Sequence, residues 1–597
     1  MTQGRRPRSG RDPRRPHRPS LRGPALLRLR VGFLLIAMVV SVFAVRLFQL
    51  QGVDAKAYVA KARAEGVVTV TLPATRGAIT DRNGVALAES VDGLMIVADP
   101  TMTAPHAKAI ASLVARRLHV DYFDVLDRLG KTDTHFQYVA RRVPATKAQA
   151  LVDAVEARGY QGLDTRRDPV RTYPGKDVGA NLVGFMNAEG DPGEGAELMF
   201  DPLLSGKDGS ATYETGGGNR IPLGDNSTVA PRSGKDLELT IDRDVQWYTQ
   251  RVVRDAVEGS GGTSGVGVVM DTKTGELLAL ADYPSFDANA PALSPKSDLG
   301  SRALRDVYEP GSVEKVLTAS SLIDAGKVTP GTKITVPSDL PRGDRVIHDY
   351  FQHGKIHLTL TGVIAKSSNI GTVLAASQFG HKELYDYLRK FGLGQRTGIG
   401  VHGESGGVLA DWRDWSQITQ DTIAFGQGLA VNAVQMAAAV NTVANGGEYV
   451  SPSLVKGRAT TSTGEEVGSG ATTRHRVISA RAARETARMM EAVTTPEVGT
   501  ASVAGVSGYR VAGKTGTAQR VGKKCRCYAG TFTVSFAGFA PADAPRFLAY
   551  VVVQDPDNGG GGGSVGGPAF HKIMSYVLQK YAVPPTGTTA APPRIDW

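Results

Sequence analysis

Cysteine is almost absent from this chain of 597 residues. Only Cys525 and Cys527 occur, so no disulfide framework holds the fold together. The intervening single residue makes a bridge between them sterically awkward, and the pair reads as a local structural feature. No internal repeat of solenoid type is found, which excludes a stacked-repeat architecture. No uninterrupted apolar stretch long enough to span a bilayer occurs after residue 50, so a polytopic membrane protein is excluded. The folded part also has little excess charge. The net charge is +11, but residues 1–30 hold ten arginines, no lysine and one acid, Asp12, leaving only +2 for the rest. A nucleic-acid-binding domain carries its charge on a folded face. Here the charge sits in a Pro- and Arg-rich tail that cannot bury a core, so no nucleic-acid partner is expected.

What is present is length, hydrophobic residues at 41%, 71 glycines and 32 prolines. That suffices for two or more domains with many turns. The basic tail runs into Val31–Val45, an uncharged apolar stretch. Leu26, Leu27 and Leu29 extend it on one side, Leu47, Phe48 and Leu50 on the other. Arg28, Arg30 and Arg46 can snorkel to the interfaces. The basic tail before it is long, so the stretch is expected to be an uncleaved single-pass anchor rather than a signal peptide. Arginines before it place the N-terminus in the cytoplasm and the remainder outside.

Past the anchor, Val53–Glu65 reads as a short helix and Val67–Leu72 as a strand. Short strands and helices mix to about residue 235. Leu237–Ile241 reads as a strand and Asp244–Val257 as an amphipathic helix. Val266–Met270 and Glu276–Ala281 bracket a hairpin turn at Asp271–Gly275. Helices dominate from about 312 to 445. Strands return at Tyr509–Ala512, Thr531–Phe536 and Phe547–Gln554, before a last helix, Ala569–Lys580. The order predicts an α+β fold, an antiparallel sheet covered by helices. The expected domains are a basic cytoplasmic tail (1–30), an anchor (31–50), an elongated mixed α/β pedestal (51–235), a catalytic domain (236–581) and a flexible tail (582–597). The glycine run 559–563 is expected to be a flexible loop.

Three short motifs occur in order: Ser312-Val313-Glu314-Lys315, Ser367-Ser368-Asn369 and Lys514-Thr515-Gly516-Thr517. They match the S-x-x-K, S-x-N, K-T-G set of penicillin-recognising serine enzymes. Pro310-Gly311 ends a loop and Ser312 opens a helical apolar pattern, so the serine sits at a positive helix end. Lys315 follows one turn later on the same face. A serine hydroxyl needs a nearby base to become a nucleophile, and a lysine serves only if burial or a neighbouring cation lowers its pKa. Lys514 can supply that cation. Ser367 can relay a proton to the leaving amine, Asn369 can hold a peptide amide, and Lys514, Thr515 and Thr517 can hold a carboxylate.

Each motif alone is weak. Ser453–Lys456 is a second S-x-x-K, in a loop-to-strand pattern that reads as structural. Lys273-Thr274-Gly275 is a second K-T-G, between two strands, and reads as a turn. Gly508–Thr515 satisfies the P-loop pattern, but a strand-like segment and no helix surround it, so no nucleotide is expected. His348, His353 and His357 fit no common zinc spacing and read as ordinary loop residues. No metal or organic cofactor is expected.

The chain resembles the class B penicillin-binding proteins, and within them the septal transpeptidase of cell division. Arg76-Gly77 with Asp81-Arg82-Asn83-Gly84, Arg171-Thr172-Tyr173-Pro174, Glu309–Ser312, Lys366–Asn369, Phe391–Gly394, Phe425–Gly428 and Ala512–Ala518 carry the likeness from about residue 30 to 580. Two departures are Glu314, where many relatives carry Phe, and the glycine run. The resemblance implies a peptidoglycan D,D-transpeptidase that cross-links stem peptides ending in D-Ala-D-Ala. It implies Ser312, Lys315, Ser367, Asn369 and Lys514 as catalytic, Thr515, Gly516 and Thr517 as substrate-binding, and an oxyanion hole from the N–H groups of Ser312 and Thr517. Implied partners are β-lactams, the cytoplasmic membrane and division proteins including a polytopic glycosyltransferase. An elongation-specific transpeptidase and a mainly scaffolding division protein are the alternatives. A β-lactamase or carboxypeptidase shares the motifs but usually lacks the anchor and pedestal. A bifunctional glycosyltransferase would need a second catalytic domain at 51–235, and a β-lactam sensor more spans.

Overall fold

The computed structural model describes residues 25–53, 67–216, 219–220, 226–343, 345–522, 527–557 and 560–597. The helix expected over Val53–Glu65 falls almost wholly outside them, as does Cys525; Cys527 is disulfide-bonded. The chain divides into two compact units, Met1–Thr71 with Ser210–Val229, and Leu72–Gly209 with Ala230–Trp597.

The first unit contains helix α1, Ala25–Phe48. At 1.5 Å per residue it is about 36 Å long, enough for a hydrocarbon core of about 30 Å. Its apolar side chains are exposed; Phe33, Leu34 and Phe43 are each about two-thirds accessible. Such a face has no place in water and needs lipid. Its described part already includes Ala25–Leu29, ahead of the apolar run, which are good helix formers. The strand Val67–Leu72 forms as expected. The hairpin neighbours Gly209–Gly216 and Ser227–Val229 pair antiparallel.

The second unit begins with two small sheets. One joins Ile79–Thr80, Ala86–Val91, Val170–Thr172 and Leu237–Glu238. The other joins Gly93–Ala98 to Gln137–Pro144 and Leu163–Arg167. Helices Ala107–Leu118, Tyr122–Gly130 and Ala145–Glu156 bury Ile110, Val114, Leu129, Leu151 and Val155 with the second of these sheets. A buried polar knot ties the first together. Glu197, with no side-chain exposure, accepts from Arg76 Nε at 2.6 Å and Arg171 Nε at 2.7 Å, and from Tyr173 OH at 3.2 Å. Two of the sequence segments carrying the family likeness therefore meet on one carboxylate.

Next comes α2, Arg243–Ser260, started by Asp242, whose carboxylate accepts from Asp244 N and Val245 N, and ended by Gly261 in the left-handed region. The main sheet has five strands: β1 (Ser264–Asp271), β2 (Leu277–Tyr283), β3 (Ala512–Val521), β4 (Tyr528–Ala540) and β5 (Phe547–Gln554). Their order is β2-β1-β5-β4-β3, antiparallel throughout. β1 and β5 are buried along almost their whole length. Both faces are therefore covered, which explains the unbroken apolar run of Phe547–Val553. α2 packs with the last helix, and Ala433–Ala444 and Ala480–Thr494 also pack on the sheet.

Lys273-Thr274-Gly275 is the β1–β2 turn, with Gly275 at φ +77°. β3 begins at Ala512, three residues later than read from the sequence, and runs to Val521. The K-T-G motif is thus within an edge strand, not after one, and no helix follows as a P-loop requires. The second S-x-x-K is structural: Ser453 bridges to Glu276, and its carbonyl accepts from Leu277 N at 3.0 Å.

Two expectations of flexibility are corrected. Of the glycine run 559–563, Gly559 lies outside the described residues and the rest is packed, not loose; a Cβ on Gly562 would lie 2.3 Å from Ser535 O, and one on Gly563 2.3 Å from Thr500 O. The tail after Val583 is docked. Thr359 N donates to Ile595 O at 3.0 Å, because a proline-bearing segment without helix signals can still pair as an extended chain.

Candidate active site

Ser312 lies in the 3-10 turn Gly311–Val313, directly before α3, Lys315–Asp324. The turn is braced from behind by Phe425–Gly428. Gly311 N donates to Gly426 O at 2.9 Å, and Gly426 is at φ +91° with no room for a Cβ, which would stand 2.0 Å from Gly311 O. In front, β3 passes so close that a Cβ on Gly516 would meet Val313 Cγ2 at 2.9 Å and Pro310 O at 3.0 Å. The backbone around Ser312 and that of Thr517 are neighbours for the same reason; a Cβ on Gly311 would lie 2.9 Å from Thr517 O.

Helix α4, Leu360–Lys366, delivers Ser367, which caps it in the left-handed region at φ 59°. For a non-glycine residue that conformation is uncommon and is held only by its surroundings. Here Lys315 Nζ donates to Ser367 O at 2.6 Å and Lys514 Nζ to Ser367 Oγ at 2.7 Å. Ser368 then caps α5, Asn369–Ala376, accepting from Gly371 N. Asn369 accepts from Lys315 Nζ at 2.7 Å and donates through Nδ2 to His348 O at 2.9 Å.

Lys315, Ser367 and Lys514 are therefore brought together from positions far apart in sequence, and both lysine side chains are fully buried. Ser312 opens beside them into a cleft of about 1320 Å³, lined also by Arg345, Tyr350, Thr515, Thr517 and Tyr528. Lys315 is committed to Ser367 and Asn369, and among the described residues no hydrogen bond ties Ser312 Oγ to it. Thr515 Oγ1 lies 3.1 Å from Thr500 Oγ1, and Thr517 Oγ1 accepts from Gly562 N at 3.3 Å.

Burial strongly disfavours the charged form of a lysine. It lowers the Lys315 amine from 10.5 to about 7, against the opposing pull of Asp349 and Glu314. Lys514 is lowered well below 10.5 by burial and by the charge of Lys315. Two ammonium groups around one serine oxygen in a dry site are costly, so a neutral amine is available near neutral pH. Glu314 is buried beside this pair and hydrogen-bonded to Thr318 Oγ1 at 2.8 Å. Burial raises its pKa well above 4.5, against the opposing hydrogen bond from Thr318 and the charge of Lys315.

Sequence reading missed Asp349. Its side chain is fully buried and accepts from Asn369 N at 2.5 Å, Ile370 N at 3.0 Å and Ser368 Oγ at 2.7 Å, with His353 Nε2 at 3.0 Å. It fixes the S-x-N turn. Its only signal in the sequence is its place among the three histidines 348, 353 and 357. Those histidines diverge: His353 serves Asp349, His348 Nδ1 sits 2.7 Å from Asp339, and His357 stacks edge-on with Trp597. Glu309 was also missed as a brace; it accepts from Gly428 N at 2.9 Å and Tyr528 OH at 3.2 Å.

Comparison with known proteins gives the family. Residues 265–575 match the penicillin binding protein transpeptidase domain, and residues 71–239 the penicillin-binding protein dimerisation domain. The chain is 36% identical to penicillin-binding protein PbpB of Mycolicibacterium smegmatis, over 94% of this chain and 91% of that protein. It is 33% identical to peptidoglycan D,D-transpeptidase FtsI of Escherichia coli, over 86% of this chain and 85% of that one. Among solved structures, penicillin binding protein 3 of Mycobacterium tuberculosis complexed with aztreonam superposes with a TM-score of 0.68 at 30% identity, covering 88% of this chain and 99% of the other. A Bifidobacterium adolescentis peptidoglycan synthetase gives 0.70 at 30% identity, covering 89% and 100%. With a dimerisation domain ahead of a serine-lysine transpeptidase domain, this chain belongs to the penicillin-binding proteins.

Proposed function

We infer that the chain is a membrane-anchored peptidoglycan D,D-transpeptidase working through an acyl-enzyme on Ser312. The observation that carries this is the convergence of Lys315 and Lys514 on Ser367 beside the nucleophile turn. Neutral Lys315 takes the Ser312 proton as Oγ attacks the carbonyl between the two terminal D-alanines. The N–H groups of Ser312 and Thr517 receive the oxyanion. Collapse breaks the C–N bond, and Ser367, in contact with both lysines, passes the proton to the departing D-alanine amine. An amine of a second stem peptide then attacks the ester, forming the cross-link and returning the proton to Ser312. Asn369 holds Lys315 and can exchange its contact with His348 O for a substrate amide. Thr515, Gly516 and Thr517 line the substrate's carboxylate end. β-Lactams mimic that end and acylate Ser312.

The eight arginines before α1, with Arg28 and Arg30 in its first two turns, support an N-terminus in the cytoplasm and a catalytic domain outside. Likeness to FtsI and PbpB supports work at the septum, with a polytopic glycosyltransferase of the division machinery as partner. The matches over residues 71–239 and 265–575 support a pedestal over residues 51–235 followed by a catalytic domain over 236–581.

The test is intact-mass spectrometry of the detergent-solubilised chain with benzylpenicillin, with Ser312→Ala alongside. One stable adduct on the natural chain, absent from the variant, is expected. Rapid drug hydrolysis would move the protein to the β-lactamases. A folded chain with no adduct would leave only a scaffolding role.

A further inference from the structure

The last residues of the sequence lie against the element that delivers Ser367. Leu358 and Asp596 form an antiparallel bridge, adding the tail to the two-stranded sheet of Lys333–Val336 and Ile356–Thr359. Thr359 is the cap of α4. Its hydroxyl accepts from Gly362 N at 3.1 Å and donates to Arg594 O at 2.6 Å, and its own N–H goes to Ile595 O. Trp597 closes the contact, with Lys333 Nζ 4.6 Å from its ring centroid and His357 at 4.7 Å. Gly362, in the first turn of α4, admits the tail; a Cβ there would stand 1.9 Å from Ile595 O. Upstream, Thr588 contacts Asp543 and Arg510, so the segment is held at two places.

We propose that Arg594–Trp597 is a strap that positions Ser367, acting through the Thr359 cap and α4 on the serine in its left-handed conformation. The proposal rests on the acyl-enzyme reading above. α4 has only seven residues, and a helix this short has little stability of its own. Its start is pinned by the cap and strap, its end by the two lysines on Ser367. Releasing the start lets Ser367 drift from Lys315 and Lys514, while Ser312, in the 3-10 turn before α3, stays in place. The strap residues are positioning residues; none lines the cleft.

The experiment uses the detergent-solubilised full chain, its deletion of residues 589–597, Trp597→Ala, and Thr359→Val beside Thr359→Ser. A fluorescent penicillin reports kinact and KI separately, and thermal unfolding reports the fold. The deletion is expected to lower kinact about tenfold, the scale of a small misplacement of a catalytic group, with KI and Tm little changed. A synthetic peptide of residues 585–597 should restore it. Thr359→Val should follow the deletion, and Thr359→Ser the natural chain. If the deletion does not fold, Trp597→Ala carries the test, with a smaller fall in kinact expected at an unchanged Tm. Unchanged kinact in the folded variants, or a fall that the peptide fails to reverse, overturns the strap. No labelling of the natural chain would instead overturn the acyl-enzyme reading.

Discussion

Asp349 receives the backbone N–H of Asn369 at 2.5 Å and holds the start of α5 as a buried carboxylate. That one residue ties an otherwise loose loop to the second catalytic motif. It also lies close enough to Lys315 for its charge to raise the amine's pKa.

Replacing it separates the two roles. Asp349→Asn keeps the shape and an acceptor for the N–H groups of Asn369 and Ile370, but removes a charge and puts a donor against Ser368 Oγ and His353 Nε2. A fall in stability of about 2 kcal/mol is expected, with acylation slowed at least tenfold. The acid limb of the acylation profile should also move to lower pH, because Lys315 loses the anion that favoured its proton. Thermal unfolding and kinact/KI against pH check this. A fall in rate with an unmoved limb would leave only the structural role.

Lys315 gives the pH dependence of the natural chain. With its amine lowered to about 7, kinact/KI should rise about tenfold per pH unit below that point and level off above it. Stability follows the same group with a definite sign. Between about 7 and 10.5 the unfolded chain binds a proton that the folded chain does not, so stability rises with pH across that window. Lys514 pushes the same way. Lys315→Met should flatten this slope in denaturant titrations and abolish acylation.

Gly426 should tolerate no side chain. Gly426→Ala places a methyl against Gly311 O at a backbone angle that disfavours it. The nucleophile turn must shift, and about a hundredfold loss of acylation is expected from misplacing Ser312 by about 1 Å. Gly428→Ala, where the nearest atom is Thr422 Oγ1 at 3.3 Å, should lose less. Equal losses in the two variants would refute the argument.

Glu197 predicts the opposite pattern. Glu197→Ala leaves Arg171 buried without its anion and Arg76 with Asp201 alone, at about 3–5 kcal/mol. Tm should fall by several degrees while kinact/KI of the folded fraction stays unchanged, because no partner of Glu197 lines the cleft.

The anchor, the order of elements around the main sheet and the three motifs were legible because each has a strong local signature. α1 is one apolar run, Phe547–Gln554 matches β5, and Ser312–Lys315 announces a helix start. Residues whose role depends on what the fold brings beside them were not legible. Asp349 has no motif, Glu309 was visible only as part of a segment, and Thr359 becomes a cap held by residues more than two hundred positions later. Composition misled at Gly560–Gly566 and at the tail. Glycine and proline suggest freedom, but here the glycines permit close backbone contact and the prolines leave an extended chain able to pair.

The glycine-lined wall of the cleft bears on how this enzyme can escape drugs. At Gly562 and Gly563 any side chain collides with main-chain oxygens of Ser535, Gly516 or Thr500. Resistance cannot readily arise there by adding bulk, since the same change dislodges the strand bearing Lys514. The opposite lip, where Val346 and Tyr350 are exposed, has no such restraint. Selection under β-lactams should therefore reshape that lip first.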